Sequence, residues 1–101
     1  MPTLMNSTLC LIARGLIAKH EFDDAAAVLA QAEEINRRQH SFTVEPEIYC
    51  LRGDMWQASG QLPRAHKSWH QARASAIRHG LLAYVAWADS RLAEYPATSM
   101  A

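Results

Sequence analysis

The sequence predicts an all-α fold of stacked antiparallel helical hairpins, about five helices in a single domain spanning residues 1–101. Three observations predict it. Strand-like alternation of apolar and polar residues is missing, and the good helix formers Ala, Leu, Arg, Glu and Gln dominate. Proline and glycine cut the chain into segments of helical length. The chain also repeats itself: Cys10, Ala13, Ala25, Leu29 and Ala32 recur forty positions later as Cys50, Gly53, Ala65, Trp69 and Ala72.

The elements follow in order. A first helix is expected from about residue 3 to 19, with Leu9, Ile12, Ala13, Leu16 and Ile17 at helical spacing. After the break His20-Glu21-Phe22, Asp23 is a candidate N-cap for a second helix reaching about residue 39. Its inner face would carry Ala25, Leu29, Ala32 and Ile35. Acids at its start (Asp23, Asp24) and Arg37 and Arg38 at its end suit the helix dipole. Residues 40–44 read as a loop. Pro46 fits the first turn of a third helix, which should end near Ser59 with Gly60 just beyond it. Pro63 opens a fourth helix that stops at Gly80. A fifth, about 81–95, is ended by Pro96, and the tail 97–101 should fray. The hairpins are thus about 3–39 and 45–79, followed by one extra helix.

Composition narrows the function classes. Ten basic and ten acidic residues cancel, so no global charge invites nucleic acid or a membrane surface. No apolar run is long enough to span a bilayer, and no basic segment precedes an apolar one as in a signal peptide. Two cysteines without a CxxC pair fit reduced thiols, hence a cytoplasmic location, better than a disulfide framework or a zinc site. His66 and His70 have a metal-compatible spacing but lack further ligands, so no metal is expected, nor any cofactor. With no phosphate loop, no nucleophile elbow and no paired cysteine and histidine, the expectation is a protein that is not an enzyme.

The repeated positions have a physical reading. Small residues at 13, 53, 25 and 65 let helices approach closely, while Leu29 and Trp69 fill the space between them. At these residues the chain resembles the tetratricopeptide repeat (TPR) family. Tyr49, Gly53, Trp56, Gly60, Leu62, Ala65, Trp69 and Ala72 fall on the motif positions of one repeat. Leu9, Ile12, Ala13, Leu16, Phe22, Ala25, Leu29 and Ala32 fall on those of the preceding one. His20 stands where the family prefers glycine, Arg52 where it prefers an apolar residue, and the period exceeds the usual of about 34. The run Glu47-x-Tyr49-x-Leu51-Arg52-Gly53 to Ala65 is similar to the C-terminal repeat region of bacterial LuxR-like and ATPase-type regulators.

The resemblance implies an α-solenoid that docks a protein or peptide partner, as the docking or sensing part of a regulator. Its concave groove would be lined by Cys10, Arg14, Ile17, Cys50, Asp54, Gln57, Val85 and Asp89. Two other readings stand beside this one. The terminal helices are apolar nearly all round (Leu4, Met5, Leu11, Ile12; Leu81, Leu82, Val85, Leu92), which suits a self-assembling homo-oligomer. An effector- or nucleic-acid-responsive domain would use the basic stripe Arg64, Lys67, Arg78, with Gln71 and Ser75 between, though four cations including Arg73 are few for nucleic acid.

Overall fold

The computed structural model describes residues 2–96, with side chains from Asn6 onward; the side chains of Leu4 and Met5 and the 97–101 tail therefore lie outside what is described below. Five helices account for nearly all of it: α1 (Pro2–Ala18), α2 (Phe22–Arg38), α3 (Glu45–Ala58), α4 (Leu62–His79) and α5 (Leu82–Glu94). Each helix packs antiparallel on the next. The tightest pairings are α1 with α2, α3 with α4, and α4 with α5, while α3 also touches α1, α2 and α5. The slab measures 47 × 31 × 17 Å, so its thinnest dimension holds two layers of helices. No helix among the described residues is long and apolar enough to cross a membrane.

The first four helices end in one kind of turn. His20, His40, Gly60 and Gly80 all have positive φ, at 62°, 51°, 83° and 70°. In each, the next amide reaches back to a carbonyl in the last helical turn: Glu21 to Leu16, Ser41 to Asn36, Gln61 to Trp56, and Leu81 to Ala76. This left-handed closure satisfies carbonyls that a helix end leaves open. The four residues stand twenty positions apart. Glycine takes such a φ freely, whereas histidine resists it through its Cβ.

Asp23 is not the N-cap of α2. The helix begins one residue earlier, with Glu21 in the cap position and no side-chain cap bond, because the left-handed turn at His20 already sets the entry angle. Asp23 and Asp24 instead occupy the first turn, where their charge still complements the dipole.

The small residues pack as their pattern predicts. Ala13, Ala25, Ala32, Ala65 and Ala72 are fully buried, as are Leu29 and Trp69. A Cβ added to Gly53 would collide with Cδ1 and Nε1 of the Trp69 indole. The same place in the first hairpin pairs a larger residue, Ala13, with a smaller partner, Leu29. Volume is exchanged across the interface rather than lost. One core cluster joins α1, α2 and α3 through Cys10, Ala13, Leu29, Ala32, Ile48 and Leu51; a second joins α3, α4 and α5 through Cys50, Ala72 and Ala88. Ile12, at helical spacing with the buried Ala13, is exposed, beside Leu11 at 67%.

Candidate interaction face of α1, α3 and α5

The three odd-numbered helices are tied together by polar side chains. Arg14 of α1 donates to Glu47 of α3 at 3.2 Å, and its guanidinium lies 5.2 Å from the centre of the Trp87 ring on α5. The Tyr84 hydroxyl donates to the other oxygen of Glu47 at 3.4 Å. Asp54 is the hub: it accepts from the indole N–H of Trp69 on α4 at 3.1 Å and of Trp87 at 3.3 Å. It also takes a two-pronged contact from Arg91, at 2.8 and 3.3 Å. A carboxylate that accepts four hydrogen bonds, two of them from a guanidinium, is well satisfied despite its partial burial. The hydrogen bond that Arg91 donates to Asp54 is the main reason it holds its proton more firmly than an ordinary arginine.

This arrangement revises the groove expected from sequence. Cys10 and Cys50 are fully buried and do not line an open surface. Burial, first, and then the nearby carboxylates Glu47 and Asp54 push the thiols up to about 12 from an ordinary 9.0. Asp54 faces α5 rather than solvent. Asp89 forms its ion pair with Arg73 of α4 at 2.6 Å, and Val85, one turn before it, is half-buried. Arg14 remains accessible, Ile17 is half-buried against the first cluster, and Gln57 is half-buried on α3.

Four residues of this face were not singled out from sequence: Glu47, Tyr84, Trp87 and Arg91. The available signal was charge. Arg91 and Asp54 are complementary, but pairing them requires the register of α5. That register is visible only in the structure. Glu33 of α2 pairs with Arg52 of α3 at 3.0 Å, and Arg73 of α4 pairs with Asp89 of α5. Glu33 and Arg73 are forty positions apart, whereas Arg52 and Asp89 are thirty-seven apart. The link before α5 is short, so α5 arrives three residues early.

The basic stripe is only partly a surface feature. Arg64 and Lys67 are exposed, Arg64 with its guanidinium 4.9 Å from the Trp56 ring centre. Arg78 is exposed, but Ser75 is buried and donates to Glu45 at 2.5 Å, which interrupts the row. His66 and His70 approach edge-on, with a His66 ring nitrogen against the Tyr95 carbonyl; no group of three metal-capable side chains occurs among the described residues. Comparison with protein-family models, curated proteins and solved structures gives no match.

Proposed function

We propose that this chain is a non-catalytic protein–protein interaction module of TPR-like α-solenoid design, serving as the docking or sensing arm of a bacterial regulator. The observation that carries the reading is the repeated inter-hairpin contact. α3 sits on α2 through Leu51 and the Arg52–Glu33 pair; α5 sits on α4 through the buried Ala88 and the Asp89–Arg73 pair. Two successive units joined by equivalent contacts favour an array over a closed bundle. In such an array the odd-numbered helices form the binding face, and Arg14 and Gln57 are its accessible polar groups, suited to charge-assisted contacts with a peptide. The test is affinity capture with the intact chain and with an Arg14→Glu, Gln57→Arg double variant. A partner retained by the first and lost by the second supports the face. Capture unchanged by the double variant would overturn it.

A second reading, self-association, is favoured by exposed apolar residues on α1 and α5. Leu11 is 67% exposed although its counterpart Leu51, forty positions on, is covered by α2. At the other end Leu82 is 75% exposed, and Ala83, Ala86, Ser90 and Ala93 are open. At a spacing of thirty-seven these last four match Pro46, Tyr49, Gly53 and Trp56, the stripe by which α3 receives α4. Sedimentation equilibrium decides: concentration-dependent mass abolished by Leu11→Glu or Leu82→Glu supports it, and a monomer at millimolar concentration rules it out.

A further inference from the structure

The links between helices are two or three residues long except one: residues 39–44, between α2 and α3. This longer link carries His40 in its left-handed conformation and an exposed aromatic, Phe42, stacked on the His79 ring at 4.8 Å. Beneath it lies a cavity of about 270 Å³, close to the lower end of ligand-sized pockets. It sits at the α2–α3 junction, and none of its lining residues belongs to the Arg14–Glu47–Asp54 network.

Its walls combine aromatic faces with carboxylates. Phe42, Ile48 and Tyr49 supply the apolar part, and Glu33 and Glu45 the charge. Glu33 uses one oxygen for Arg52, and Glu45 uses one oxygen for the Ser75 hydroxyl with His79 at 3.9 Å; the second oxygen of each has no partner among the described residues. The cation on the wall, Arg37, is paired with Glu34. The α2 helix also ends here, directing its negative pole at the space. Burial chiefly raises the Tyr49 phenol above its ordinary value; Glu45 and Glu33 add to the rise, and Arg52 and Arg78 oppose it. Arg78 lies in a neighbouring cavity of about 210 Å³ that shares Glu45 and Tyr49.

We propose that the α2–α3 cavity binds an alkyl cation, an ammonium or guanidinium group on a short aliphatic stem, held between Tyr49 and Phe42 and bonded by the free oxygens of Glu33 and Glu45. The aromatic faces attract the cation, the carboxylates accept its N–H bonds, and Ile48 covers the stem. The proposal stands independently of the α1–α3–α5 face.

Titration of the full chain, followed by amide NMR shifts, tests it with n-butylguanidinium as a free cation, N-acetylarginine amide as a peptide-borne one, and glutamate as an anion. Saturable shifts at Phe42, Glu45 and Tyr49 are expected with at least one cation, weakened roughly tenfold by Glu45→Gln and several-fold by Phe42→Ala. Phe42 is exposed, so its variant keeps the fold and preserves the test if Glu45→Gln does not. Saturation by both cations supports a general cation site; saturation by the blocked arginine alone supports a side-chain site. Non-saturating shifts, affinity unchanged in both variants, or glutamate binding as well as the cations would overturn the proposal.

Discussion

At position 53 a single hydrogen atom decides how close two helices come. The Trp69 indole occupies the volume that any side chain there would need, and it is itself fully buried and hydrogen-bonded to Asp54. Alanine would gain about 1 kcal/mol in helix propensity, but overpacking against a ring that cannot yield costs about 3 kcal/mol. Gly53→Ala should therefore lose about 2 kcal/mol in urea unfolding. Adding Trp69→Leu, which recreates the Ala13–Leu29 pairing of the first hairpin, should recover part of that loss. A double variant no more stable than the single one would show that the two positions are not coupled. The pairing of small with large residues was legible in the sequence because both members recur at one spacing. The roles of Glu47 and Arg91 were not, since their partners lie on helices whose register depends on the length of an intervening turn.

At the scale of elements, four helix endings share one geometry but not one residue. Gly60 and Gly80 were readable as stop signals; a break at His20 and a loop from residue 40 were also legible, but only the backbone reveals that these two histidines take a left-handed φ. The strain held there makes a prediction with an unusual sign. His20→Gly should stabilise the protein by about 1 kcal/mol, despite the greater freedom of glycine in the unfolded chain. Thermal unfolding should show a rise of a few degrees, and a fall would mean that His20 contributes more through its ring contact with Phe22, at 5.2 Å, than its backbone costs. The misassigned cap at Asp23 has the same origin: the turn before α2, and not a side-chain acceptor, starts the helix.

Across the whole molecule, five helices and their order followed from punctuation and period, while the assignment of α5 to its neighbours did not. Two buried cysteines give a global readout. With both thiols pushed up to about 12, and fully buried, neither reacts as a thiolate in the folded state near neutrality. Labelling by a thiol-specific disulfide reagent at pH 8 should proceed only as fast as unfolding exposes them, and both should react together. The same shift fixes a pH trend. The folded-state values lie above the unfolded ones, so their contribution is fully present below about pH 9 and is lost as pH rises towards 12. Rapid labelling of one cysteine in otherwise native protein would contradict the burial on which this rests.

The carboxylate at position 54 has a spectroscopic consequence. It touches the ring nitrogens of two of the three indoles in the chain, one on α4 and one on α5, and through Arg91 it pins the last helix to the middle of the molecule. Any event that lifts that last helix changes the surroundings of both chromophores at once. Native fluorescence therefore offers a label-free gauge of whether α5 is seated.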